Sequence, residues 1–282
     1  MPDVFGLAAI VTKFGLYLGV MAAAGTVLAT VLFRLDATRS LATGFAVLGL
    51  GATILTFLLH GANLTGDLRG MVDPEMLGLL WGTPVGTALL LRLVGLGLLI
   101  LGLFTGRTGP LVCVFGSLMS IWSFGHVGHI SSQSNGVLDI ALMVHLGAVS
   151  LWIGILTPLR RLALDATKFA TAAEIGHRFG SVATCIVPIL IIAGGVMAYS
   201  IVGSFTALFG TRYGQMIVVK ILLIAIILAL AAANKFRFVP RISSGDPSAA
   251  RHLANSITAE WLIILTVLVV TAVLTTNLNL PS

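Results

Sequence analysis

The chain has 282 residues, of which 57% are hydrophobic and only 9% charged, and its mean hydropathy is +1.07. A soluble domain carries about 25% charged residues, so the composition excludes a water-soluble fold and assigns the chain to a lipid bilayer. The formal net charge of +6 matches the Lys/Arg surplus that cytoplasmic loops of membrane proteins carry; no nucleic-acid partner is expected.

Apolar windows of about 20 residues are the length a helix needs to cross the hydrocarbon. Eight such windows are predicted as helices: 14–33, 41–60, 84–104, 110–129, 138–158, 180–201, 214–234 and 257–276. They are continuous runs, not short alternating segments, and backbone in lipid must bond internally. The fold class is therefore an all-α integral membrane protein with eight transmembrane helices. The first run follows Lys13 but continues to Phe33 and is followed by Arg34 and Arg39, so it reads as a retained helix, not a cleaved signal. Cys113 and Cys185 sit in separate apolar runs without a paired motif and read as small buried hydrophobes.

Basic residues set the orientation. Arg34 and Arg39, Arg107, then Arg160, Arg161, Lys168 and Arg178, then Lys235, Arg237, Arg241 and Arg251 fall in alternate loops. The intervening loops are poor in them, which predicts both termini outside. An internal repeat is also expected. Thr83, Gly86 and Arg92 recur at the same spacing as Thr211, Gly214 and Lys220, each set opening an odd-numbered helix. Four helices return a chain to its starting side, so two parallel four-helix halves are predicted: 1–110 and 135–282, around the 111–134 helix and loop of a single transmembrane domain.

The chemistry gathers between Trp122 and Trp152, where His126, His129 and His145 flank a short polar loop. With the predicted topology these three and His60 lie near the outer surface. Imidazole suits copper, zinc, iron and nickel, and ionisable groups inside spans are costly and functional by default. A membrane histidine can equally bond a neighbouring helix. Met119 and Met143 are candidate soft ligands for Cu(I), although methionine is also an ordinary packing residue. Arg92 and Lys220 either snorkel outward or share a role with an anionic partner. Glu260 is expected to pair with Arg178 or Arg161, and Pro158 and Pro188 to kink helices.

Gly125-His126, His145, Leu151-Trp152 with Gly154, His177 through Gly180, Thr211 through Gly214 with Lys220, then Pro240 and Glu260 together resemble the copper resistance protein D family. The departure is Phe179-Gly180, where that family often has Phe-Ser. The resemblance implies a bacterial inner-membrane protein that handles copper, as Cu(I) or Cu(II), beside a periplasmic partner of the copper resistance protein C type. It carries onto His126, His145 and Trp152. The metal site expected is His126, His129 and His145, with His60, Met119 and Met143 as further ligands. The rival from another class is an electron-transfer protein holding haem b on facing histidines; a structural membrane protein with incidental histidines is a third. Neither HExxH nor GxSxG is present, and no enzyme activity is expected.

Overall fold

The computed structural model describes residues 4–128 and 136–277. His129 and most of the polar loop after it lie outside the described residues. Within them the chain is all helical, with no strand. The α-helices are α1 (Val4–Phe33), α2 (Arg39–Thr65), α3 (Pro74–Trp81), α4 (Pro84–Phe104), α5 (Gly109–Trp122) and α6 (Gly136–Leu164). They continue with α7 (Phe169–Val202), α8 (Phe205–Gly210), α9 (Arg212–Ala233), α10 (Val239–Ser243) and α11 (Pro247–Asn277). A 3-10 turn, Ser123–His126, extends α5, and a π-helical segment, Asn234–Phe238, joins α9 to α10.

Seven of these helical segments are long and apolar enough to cross a membrane. The exception among the predicted spans is α5. Its 14 residues rise only about 21 Å at 1.5 Å each, against a hydrocarbon core of about 30 Å.

The apolar windows clipped helix ends that continue into polar sequence. The first helix begins at Val4, the sixth reaches back to Phe169 and the last to Pro247. Arg160, Arg161 and Arg178, expected in a loop, therefore ride on α6 and α7. The two short helices α3 and α8 were not predicted. Each owes its start to a local cap: Asp73 accepts from the amides of Glu75 and Met76, and Ser204 Oγ from that of Ala207. Pro158 and Pro188 lie inside α6 and α7. Cys113 is buried and its thiol donates to the Leu99 carbonyl at 3.3 Å. Cys185, expected to be buried, is exposed on the face α7 turns away from the protein.

The bundle is organised around α1, which packs on α2, α5, α6 and α11. Its contact with α6 is backbone on backbone. A Cβ built on Gly25 would overlap the Ser150 carbonyl, and one on Gly154 would overlap the backbone of Gly25. Such small-residue crossings let helices approach closely in lipid. At the end of the bundle carrying both termini, Lys13 of α1 donates to the Thr275 carbonyl of α11 at 2.6 Å, and Tyr17 Oη meets Thr275 Oγ1 at 3.1 Å. That end is called the terminal end below.

Both copies of the recurring Thr…Gly…cation motif fold alike. Thr83 Oγ1 caps α4 by accepting from Val85 N, and Thr211 Oγ1 caps α9 by accepting from Gly214 N. In each, the glycine lies against carbonyls of the preceding short helix: a Cβ on Gly86 would strike that of Trp81, and one on Gly214 those of Ala207 and Leu208. The cation then falls two turns into the long helix.

Candidate functional site: a cationic, histidine-bearing end of the bundle

His126 closes the 3-10 turn after α5 and stands near Trp122, with ring centroids 6.4 Å apart. This turn packs against α4 and α6. Met143 of α6 brings its terminal methyl to within 3.6 Å of where a Gly125 side chain would begin, so one predicted thioether lies beside the turn that carries His126. His145, one half-turn further along α6, presents its ring to Gly194 of α7. The Leu190 carbonyl and the Lys220 ammonium are within its electrostatic reach. The Nδ1 atoms of both His126 and His145 are buried without a hydrogen-bond partner. A buried imidazole nitrogen left in this state costs free energy.

His60 behaves differently. Its Nδ1 lies 2.7 Å from the Thr56 carbonyl, which can only accept, so this nitrogen carries the proton. In the neutral ring Nε2 then keeps its lone pair, the arrangement that second-shell carbonyls impose on metal-binding histidines. His60 lines a cavity of about 170 Å³ together with Lys13, Asn63 and Thr276, on the α1–α2–α11 side. Met119 lies half-buried on α5, two turns before His126. Among the described residues, no three of the His, Cys, Asp and Glu side chains gather closely enough to hold a metal ion.

Around these groups the charge is cationic. Arg92 is only 5% exposed; it donates from Nε to Ser123 Oγ at 2.8 Å and its guanidinium lies 4.7 Å from the Phe124 ring centroid. That ring also packs on Tyr17, at 5.6 Å. Arg92 is within electrostatic reach of Lys13, Tyr17 and His60. The ion pairs among the described residues are Lys168–Asp165 and Arg241–Asp246. Neither involves Lys13, Arg92 or Lys220, so among the described residues no carboxylate forms an ion pair with these three.

The bundle interior toward the other end has the opposite character. Glu260 of α11 is 1% exposed. It accepts from Trp152 Nε1 at 3.1 Å and from Asn234 Nδ2 at 2.6 Å. The expected pairing with Arg178 or Arg161 is not what forms. Arg178 instead donates to the Leu32 carbonyl and lies over Phe33. Trp152, linked by resemblance to the histidines, is thus tied to Glu260, and Phe179 packs edge-on against its indole at 5.4 Å. Asn234 opens the π-helical segment, a local irregularity that clusters at functional sites.

Sequence reasoning missed Lys13, Tyr17, Asn234 and Thr275 as members of these sites. The contacts of Lys13 and Tyr17 with Thr275 join the first helix to the last, 262 and 258 residues apart, and Asn234 reaches Glu260 across 26 residues; no local pattern signals such pairs.

These features define a polytopic helical membrane protein with His60, His126 and His145 toward one end. Two family profiles match consecutive parts of the chain. Copper resistance protein D-like, N-terminal domain, covers residues 1–138, and Copper resistance protein D covers 173–274. The chain belongs to the copper resistance protein D family. Among curated proteins it is 29% identical over 178 residues to the copper transport protein CutJ of Bacillus subtilis (strain 168), a match covering 62% of this chain and 31% of CutJ. It is 30% identical over 86 residues to the inner membrane protein YebZ of Escherichia coli (strain K12), covering 30% of each. The chain thus matches less than a third of the length of either relative. No solved structure matches it. Its apolar helices and these relatives make it a multi-pass inner-membrane protein.

Proposed function

We propose that this protein takes copper at its terminal end, facing the periplasm, and transfers it across the membrane or to a partner. Membership of the copper resistance protein D family carries this reading. The copper-transport name of CutJ agrees with it. The basic residues Arg34, Arg39, Arg107, Arg160, Arg178, Lys235 and Arg251 all belong to the other end, which supports eight spans with both termini outside under the positive-inside bias. The matched caps at Thr83 and Thr211 support two parallel four-helix halves.

In this proposal His126 and His145 are the primary ligands through Nδ1, which is buried and unpartnered in both. Met143 supplies a soft sulfur suited to Cu(I), and His129, His60 and Met119 complete or relay the site. A periplasmic protein of the copper resistance protein C type would deliver or receive the ion.

The test is copper content and affinity of the purified full chain in detergent. Near-stoichiometric copper is expected for the parent. His126→Ala and His145→Ala each lower affinity by at least about 100-fold, the upper scale at which even outer-shell partners act. His177→Ala leaves it unchanged. Parent-like copper binding in both terminal-end variants would refute the site. A flux assay in vesicles then separates transport across the membrane from loading of a partner.

A further inference from the structure

The terminal end carries a second cavity, which meets the copper reading only at His60. Lys13 has one hydrogen bond, to the Thr275 carbonyl, and its ammonium can donate two more. It lines the 170 Å³ cavity with His60, Asn63 and Thr276. Thr276 Oγ1 in that wall is buried and has no partner. Arg92 is within electrostatic reach of Lys13. Two cations this close in a low-dielectric setting repel, and buried charges are normally paired. Among the described residues no carboxylate pairs with either.

Beside the cavity lies an apolar groove of about 410 Å³ between α1 and α2, formed by Val4, Leu7, Ala8, Val11 and Leu55. Thr12 and Leu59 belong to both walls. The groove faces lipid: Val11 is 62% exposed and Leu55 42%. An apolar groove beside a cavity that holds an ammonium without an acidic partner matches the amphipathic character of one kind of bilayer component.

We infer that this cavity binds the headgroup phosphate of an anionic phospholipid on Lys13, donated to by Thr276, with the lipid lying against the neighbouring apolar face of α1 and α2. The bound phosphate supplies the negative charge that the protein omits. It also ties α1, α2 and α11 together at the terminal end. The inference does not depend on copper being the cargo.

The test is native mass spectrometry of the full chain released from detergent, offered phosphatidylglycerol and phosphatidylcholine with the same acyl chains. The parent retains phosphatidylglycerol preferentially. Lys13→Gln reduces that preference by at least about fivefold, the scale for one basic residue at an anionic membrane surface; Lys13→Arg preserves it. Val11→Trp, which fills the groove from an exposed position, lowers retention of the anionic lipid and reads the same site should Lys13→Gln fail to fold. Lys220→Gln, outside the cavity, leaves the preference intact. Equal retention of the two lipids by the parent overturns the inference. So does a preference unchanged in both Lys13→Gln and Val11→Trp. If inorganic phosphate displaces the lipid signal and Val11→Trp has no effect, the site takes a free oxyanion and the lipid assignment fails.

Discussion

The terminal end and the Glu260 interior both bury charge without an ion pair, and they treat it in opposite ways. Glu260 is surrounded by neutral donors, Trp152 and Asn234, that occupy both of its oxygens. The protein itself satisfies the carboxylate, although Asn234 Oδ1 beside it has no partner. Lys13 and Arg92 meet a carbonyl, a hydroxyl and an aromatic face but, like Lys220, no acid among the described residues, while two imidazole nitrogens nearby are left open. A closed polar network fixes structure, whereas an open one invites a ligand. The contrast sets unsatisfied polar groups at the terminal end against a hydrogen-bonded carboxylate in the Glu260 interior.

Substitutions can break this contrast or sharpen it. The largest effect is expected at the closed site. Glu260→Ala strands two buried donors and leaves a cavity, costing about 3 kcal/mol, to be read from thermal unfolding in detergent. Glu260→Gln costs far less, because Asn234 can turn its amide and offer its unpartnered Oδ1 to the new amide. Equal losses in the two variants would mean that the negative charge, not the hydrogen bonding, is what the interior requires.

Arg92→Met comes next. It removes the Ser123 bond and the contact with Phe124 and is expected to lower stability by about 1–2 kcal/mol. Tyr17→Phe, which gives up only the contact with Thr275, costs about 1 kcal/mol or less. The smallest effect is at Lys220, where Lys220→Met removes a cation with no hydrogen-bond partner among the described residues and leaves the melting temperature unchanged or raised. A Lys220→Met loss as large as that of Arg92→Met would show that the two matched cations have the same structural weight.

The helices were legible because each is a continuous apolar run, and lipid leaves such a run one way to satisfy its backbone. Their ends were not, because helices such as α7 and α11 begin in polar turns that hydropathy scores as loop. The recurring Thr…Gly…cation spacing was legible and corresponds to a real local structure, a cap followed by a glycine pressed on the preceding helix. The histidine-bearing end was legible in outline from the positions of His60, His126 and His145 along their helices. What surrounds them was not. Lys13 meets Thr275 and Trp152 meets Glu260 across the whole bundle, and reasoning from charge alone sought an arginine for Glu260 where a neutral indole and amide do the work.

The central place of α1 bears on how the molecule is assembled. Two-thirds of its apolar window is buried, yet α1 leaves the ribosome before any helix that buries it. The backbone surface around Gly25 waits for α6, and the acceptor for Lys13 arrives only with α11. During synthesis the bilayer must therefore host α1 with its ammonium unpartnered by Thr275 until the last helix is inserted. Quality control that samples this stage would meet an exposed glycine face and a lone intramembrane lysine, marks of an unfinished chain that the completed bundle hides.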